Sequence, residues 1–227
     1  MKLREVIPWG RSFDEYRLMF GLSETEFAGR ILGCGDGPAS FNAEATVRGH
    51  SVISCDPIYA IPAEEIRQRV EDTHEMVISQ VRLNPEAYVW SYFHDPDHLG
   101  QCRLTAVRRF LEDFEKGMAE GRYVTASLPS LPFEDGQFDL ALCSHLLFLY
   151  SDHLSSDFHQ ASIVELLRVA AEVRVFPLVT LEGKPSPHVE RLVTSLADKG
   201  SITEICSVAY EFLQGGNRML RIIGGSL

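Results

Sequence analysis

The chain has 227 residues and a formal net charge of −11, from 32 acidic side chains against 21 lysines and arginines. A surface this acidic repels phosphate backbones, which argues against nucleic acid as a partner. With 45% apolar and 23% charged residues the composition is that of an ordinary globular protein. The length suits one domain, residues 1–227, that buries its core without disulfides or structural metal.

Taken in chain order, Met1-Lys2-Leu3-Arg4-Glu5 has no apolar run behind its basic start, so no signal peptide is expected and a cytoplasmic location follows. Ser12–Phe27 predicts a helix with Phe13, Tyr16, Met19 and Phe20 on one face. Residues 1–28 precede the first strand and are expected to form a lid over the ligand edge or to pack on the sheet flank. Arg30–Gly33 and Ser51–Asp56 read as strands, with a helix over Pro38–Arg48 between them. Residues 58–121 are too long for one crossover and predict a helical insertion of two helices. The first opens at Pro62-Ala63-Glu64-Glu65 with Ile66, Val70, Thr73 and Val77 on one face. The second runs from Asp97, its expected cap, to Gly117, with Val107, Phe110, Leu111, Phe114 and Met118 at helical spacing. The alternating Tyr88, Trp90, Tyr92 and Phe93 either line an apolar pocket or form the insertion's own core, and the core reading is favoured.

Further strands are expected at Tyr123–Ala126, Phe138–Cys143, Val173–Thr180, Ile202–Tyr210 and Met219–Ile223. Gly215-Gly216 between the last two predicts a hairpin, since glycine accepts the positive φ of such turns. The whole predicts an α/β fold: a Rossmann-like, seven-stranded, mostly parallel sheet with helices on both faces and a C-terminal antiparallel hairpin. The apolar stretch Leu140–Tyr150 is broken by Ser144 and His145 and is too short to span a bilayer, so no membrane partner is expected. Cys34, Cys55, Cys102, Cys143 and Cys206 are scattered, with no C-x-x-C pair, and read as free thiols. His94-Asp95-Pro96-Asp97-His98 groups ligand-type side chains, but reads as a Pro-broken junction and helix cap, so no metal is expected.

The chemistry concentrates in Gly33-Cys34-Gly35-Asp36-Gly37, directly after a strand and before a helix. Glycines there let the backbone approach a ligand closely. A dinucleotide fingerprint wants glycine where this chain has Pro38, which disfavours pyrophosphate. Asp56 ends the second strand, where a carboxylate can accept from both hydroxyls of a ribose, so it points to a nucleoside without saying which.

Together with Leu131-Pro132-Phe133-Glu134-Asp135-Gly136-Gln137-Phe138-Asp139-Leu140, these residues resemble the class I S-adenosylmethionine (SAM)-dependent methyltransferases of small-molecule type. The likeness covers roughly residues 28–56 and 122–227. It implies SAM as cofactor, held by Gly33, Cys34, Gly35 and Asp36 at its methionine end, by Asp56 and Pro57 at the ribose, and by Ile58, Ser127, Leu128 and Ser144 around the remainder. Two positions depart from the pattern: Ile31 and Ser127 stand where family members often carry acids. Asp36 is a candidate to replace the first, or else to cap the helix behind it. His145, after the fourth strand, is the candidate general base, with Tyr150 and then His153 beyond it. The expected function is methyl transfer to a small-molecule substrate. The alternatives are a SAM- or nucleoside-binding regulatory or assembly protein without transferase activity, and a nucleotide-linked oxidoreductase, against which Pro38 and the terminal hairpin count. The methyl acceptor and the oligomeric state are left open.

Overall fold

The computed structural model describes residues 8–225. Residues 1–7, which include the stretch read for a signal peptide and the start of the expected lid, lie outside them. In chain order the elements are α1 (Phe13–Phe20), α2 (Glu24–Phe27), β1 (Arg30–Cys34), α3 (Phe41–Val47), β2 (Ser51–Cys55), α4 (Ala63–Leu83), α5 (Pro96–Ala119), β3 (Tyr123–Val124), β4 (Phe138–Ser144), α6 (Ser156–Val169), β5 (Ala170–Phe176), α7 (Val189–Ala197), β6 (Ile202–Ser207) and β7 (Arg218–Ile223). The strands form one seven-stranded sheet in the order β3-β2-β1-β4-β5-β7-β6. The first five run parallel, and β7 lies antiparallel between β5 and β6. This is the α/β architecture expected from the sequence, terminal hairpin included.

Because strand side chains alternate, β1 feeds both faces of the sheet. Leu32 and Cys34 enter the apolar layer built with α6 and α7, and Ile31 enters the layer built with α1 and α3. The residue at the position of the missing acid is thus a core side chain, 1% exposed among Phe20, Phe41 and Leu142.

Several boundaries differ from the sequence reading for local reasons. Ser12–Phe27 is two helices. Ser12 and Glu15 cap α1 reciprocally, Gly21 ends it in a left-handed conformation (φ 59°), and Ser23 starts α2. Phe13, Tyr16, Met19 and Phe20 are all buried, so α1 is built into the sheet's core, and of the described residues ahead of it Pro8, Trp9 and Arg11 border the ligand edge. The helix after the glycine loop starts at Phe41, not Pro38. β5 follows α6 directly at Ala170 and stops at Phe176, before Pro177, which has no N–H for the ladder. β6 stops at Ser207, because Tyr210 turns inward to a buried ion pair.

The connection 208–217 is therefore longer than a tight hairpin turn. It folds back along residues 87–89 through backbone bonds from Val89 to Phe212 and from Gln214 to Ala87. Tyr88 and Phe93 pack on Phe212 (ring centroids 4.7 and 5.3 Å), and Tyr92 packs on Tyr210 (5.4 Å). The four aromatics are not a separate core of the insertion. They join it to the hairpin.

Residues 58–121 do hold two helices, but these have different roles. α5 packs on α3 and β3 and serves as the crossover itself, whereas α4 packs chiefly on α5 and is the added element. Asp95, not Asp97, caps α5, accepting from the His98 N–H at 2.7 Å, while Asp97 pairs with Arg82. Met118 lies on the solvent side at 38% exposure. Among the described residues no helix is long and apolar enough to cross a membrane.

Gly117 lets α5 lie against β3: a Cβ there would stand 2.3 Å from the Tyr123 ring. That ring is buried and its hydroxyl donates to Asp113, so it has no room to yield. Gly117→Ala should lower stability by about 1–2 kcal/mol in urea denaturation, because overpacking outweighs the ~1 kcal/mol of helix propensity that alanine brings.

Candidate functional site

The carboxyl ends of β1, β2 and β4, with residues 126–128 after β3, border a cleft of about 1000 Å³. Its floor is Cys34-Gly35-Asp36-Gly37, where Gly35 and Gly37 take φ of 70° and 54°. Few residues other than glycine hold such angles without strain. Asp56, Pro57 and Ile58 form one wall, Ser127 and Leu128 another, and Ser144 and His145 a third. The added helix α4 overhangs the cleft with Arg69, Thr73 and Met76.

The two carboxylates of the floor have different environments. Asp36 is 5% exposed and points into the protein, where Tyr16 Oη donates to it at 2.7 Å and Ser54 Oγ at 2.6 Å. Its carboxylate lies over Gly33: a Cβ on that glycine would be 1.9 Å from Asp36 Oδ2. Burial pushes its pKa up to about 7, the nearby Asp56 charge adds to this, and the two hydroxyl donors oppose it. Asp36 therefore does not cap the following helix, and Ser40 holds that position. Asp56 is half-buried and stands at the cleft edge, its oxygens accepting from the Gly37 N–H at 2.9 Å and the Ile58 N–H at 2.8 Å. Burial raises its pKa too, against those two backbone donors. Each oxygen keeps a lone pair for a donor in the cleft.

His145 has a backbone φ of 52°, strain of about 1 kcal/mol or more for a residue other than glycine. Its N–H is tied to the Phe176 carbonyl at 2.7 Å, and its Nδ1 lies 2.9 Å from Ser144 Oγ. The ring borders both the cleft and a smaller cavity of about 90 Å³. Burial, then the charges of Arg11 and Arg103, hold its pKa well below the usual imidazole range, so it is neutral near pH 7.

Trp9 and Arg11 also border both spaces, and Tyr150 and Arg103 line the smaller one. Arg103 and Glu15 are a fully buried ion pair at 2.7 Å, with Tyr210 Oη donating to Glu15 at 2.9 Å. Burial opposes the charge on Glu15, but Arg103 and its hydrogen bonds hold the carboxyl below the ordinary carboxylate range.

Cys34, Gly35, Asp36, Asp56, Pro57, Ile58, Ser127, Leu128 and Ser144 thus come together around one cleft, with His145 at its inner end. Gly33 lies behind Asp36, Tyr150 faces only the smaller cavity, and His153 lines neither. At the junction read for metal, His98 Nδ1 accepts from the His94 N–H at 3.2 Å, and its Nε2 lies 3.4 Å from Cys102 Sγ. Among the described residues no group of three or more histidines, cysteines and carboxylates could hold a metal ion. Sequence reasoning missed Trp9, Arg11, Tyr16 and Arg103. Tyr16 carried a signal only as an apolar helix position, and the Glu15–Arg103 pair spans 88 residues, a separation at which no spacing rule operates.

No protein-family model matches the chain. The uncharacterized protein MJ0045 of Methanocaldococcus jannaschii is 30% identical over 223 residues, 98% of either chain. Among solved structures, the magnesium protoporphyrin IX methyltransferase of Synechocystis PCC 6803 with bound SAM is 13% identical, with a TM-score of 0.45, over 94% of this chain and 91% of that one. A SAM-dependent methyltransferase from Methanosarcina mazei is 15% identical, with a TM-score of 0.44, over 86% and 90%.

Asp36 should leave a signature in stability against pH. Between about pH 4 and about pH 7 the unfolded chain has released a proton that the folded protein keeps. Stability therefore falls through that window as pH rises, by about 4 kcal/mol from this group, and is flat above it. Asp36→Asn removes this slope, so urea-denaturation free energies of the parent should decline relative to those of the variant across the window. A difference that stays constant with pH would mean that Asp36 is ionised throughout.

Proposed function

The chain belongs to the family of the uncharacterized protein MJ0045 of Methanocaldococcus jannaschii; starting from that membership, which carries no activity with it, we propose that it is a SAM-dependent methyltransferase acting on a small-molecule acceptor. The observation that carries this reading is the pairing of a glycine loop with Asp56 across one cleft. The loop has positive φ at Gly35 and Gly37, and Asp56 is anchored to the loop through the Gly37 N–H.

The chain's own groups fit the cofactor part by part. The loop gives close backbone approach for the methionine end, which has no phosphate to place. Asp56 offers charged acceptors to the two ribose hydroxyls, each such bond worth about 1.5–3 kcal/mol. Ile58 and Leu128 give apolar surface for a flat base, with the Ser127 hydroxyl beside them. The bound cofactor supplies an electrophilic methyl group, so the protein's task is mainly to place the acceptor's nucleophile and take its proton.

His145 suits the second part. It is neutral, it sits where the cleft meets the smaller cavity, and its strained backbone is held by the Phe176 carbonyl. In the tautomer where Nδ1–H donates to Ser144 Oγ, Nε2 keeps its lone pair and can accept a proton from an acceptor O–H or N–H.

A second reading, a SAM-binding protein without transferase activity, is favoured by one observation. Ile31 is sealed in the core, and Asp36 is only 5% exposed, turned toward Tyr16 and Ser54, so the floor offers no exposed carboxylate to the methionine amino group.

Calorimetry with SAM, S-adenosylhomocysteine and NAD separates these readings from an oxidoreductase. We expect both adenosyl ligands to bind and NAD not to. Asp56→Ala should weaken S-adenosylhomocysteine by about tenfold or more. His145→Gln should leave that affinity within about twofold but lower methyl transfer by about 10²–10⁴-fold. Absence of adenosyl binding overturns the proposal, and tight binding without transfer across a broad acceptor panel establishes the second reading.

A further inference from the structure

The cavity of about 90 Å³ beside the cleft has an unusual charge for this protein. The chain carries 32 acids to 21 bases, yet no carboxylate lines this cavity among the described residues, and two arginines do. The charge of Arg103 is matched by Glu15 at 2.7 Å. Arg11 has no carboxylate within 4.0 Å among the described residues, and its one side-chain hydrogen bond runs from Nη1 to the Trp9 carbonyl at 3.1 Å. The cavity wall therefore holds about one uncompensated positive charge in a protein whose surface is strongly negative.

The unpartnered donors have the same address. Trp9 Nε1, Arg11 Nε and Arg103 Nε are buried N–H groups without a hydrogen-bond partner among the described residues, and all three belong to side chains lining this cavity. An arginine cation without a carboxylate partner is best matched by a group that carries negative charge and only accepts, namely an ionised carboxylate. The remaining wall is flat and apolar, formed by Tyr88, Phe176, Tyr210 and Phe212. The volume limits an occupant to about one ring, with the rest reaching past His145 into the cleft.

We propose that the methyl acceptor is a small planar carboxylic acid, seated between these aromatic side chains with its carboxylate on Arg11 and its nucleophilic end toward His145. This rests on the methyltransferase reading and adds the substrate class. A neutral amide of the same shape sets its NH₂ donors against the cavity's own donors, so the cavity selects by charge and hydrogen-bond polarity rather than by size. Arg11 binds here and is not a proton-transfer group. The buried Glu15–Arg103–Tyr210 cluster positions the wall behind it.

The test uses two probes of one shape, 4-hydroxybenzoate and 4-hydroxybenzamide. Each is titrated by calorimetry into the full chain, free and saturated with S-adenosylhomocysteine, for the parent and for Arg11→Gln. S-adenosylhomocysteine itself is titrated into both proteins, and thermal unfolding confirms that the variant is folded. We expect the acid to bind the parent about tenfold or more tighter than the amide. Arg11→Gln should reduce that preference to about twofold or less and leave S-adenosylhomocysteine affinity within about twofold, and Arg11→Lys should keep part of the preference.

Equal affinity of acid and amide for the parent, a preference that survives Arg11→Gln, or no binding of the acid at millimolar concentration would each overturn the proposal. So would a loss of S-adenosylhomocysteine affinity in Arg11→Gln as large as the loss for the acid, since Arg11 would then serve the cofactor's own carboxylate. Failure of the methyltransferase reading shows separately, as absence of S-adenosylhomocysteine binding to the parent. The acid–amide comparison on the free protein still decides the anion site in that case.

Discussion

A carboxylate with almost no access to water organises the ligand edge of this protein. Asp36 needs donors, and the fold brings them from two separate elements, Tyr16 from α1 and Ser54 from β2. It also needs space, which only a residue without a Cβ leaves at Gly33. Those requirements draw α1, the end of β1 and β2 to one point, and they decide which way the loop turns. With Asp36 turned inward, the Gly37 N–H faces Asp56 and ties the loop to the next strand. Two acids of one type thus have different roles: Asp36 braces the floor from beneath, and Asp56 presents acceptors to the cleft.

The second organising feature is the buried pair Glu15–Arg103. It links α1 to α5, and Tyr210 brings in the hairpin connection. Burying such a pair contributes little net stability, because desolvation offsets most of the attraction. Its value here is positional. Arg103 donates to the Gly10 carbonyl at 3.2 Å, which holds Trp9–Arg11 against the cleft and sets the cation of Arg11 beside His145, where burial first and the arginine charges second keep the imidazole neutral. A short acidic-protein segment becomes a positive wall because its neighbours are pinned.

Much of this was legible in the sequence. The seven strands, the terminal hairpin, the two inserted helices, the glycine loop and Asp56 all rest on short-range patterns: period-two and helical periodicity, and glycines after a strand. What escaped depends on tertiary partners. Ile31 reads as a missing acid, but alternation in β1 sends it into the α1–α3 layer. Asp36 reads as a helix cap, but Tyr16 and Ser54, 20 and 18 residues away, claim it. Arg11 carries no motif at all, and its lack of a carboxylate partner among the described residues exists only once the chain has folded. The four aromatics at 88–93 were visible as a cluster, but not their target, because the hairpin connection that receives them is more than a hundred residues later.

The central claim is that the glycine loop and Asp56 form one adenosyl-binding floor. Hydrogen–deuterium exchange with and without S-adenosylhomocysteine tests it most directly. The account predicts added protection concentrated at residues 34–38, 56–58 and 126–128, the three segments that meet at the cleft. Unchanged exchange in all three segments at saturating ligand, or protection confined to another part of the chain, would contradict it.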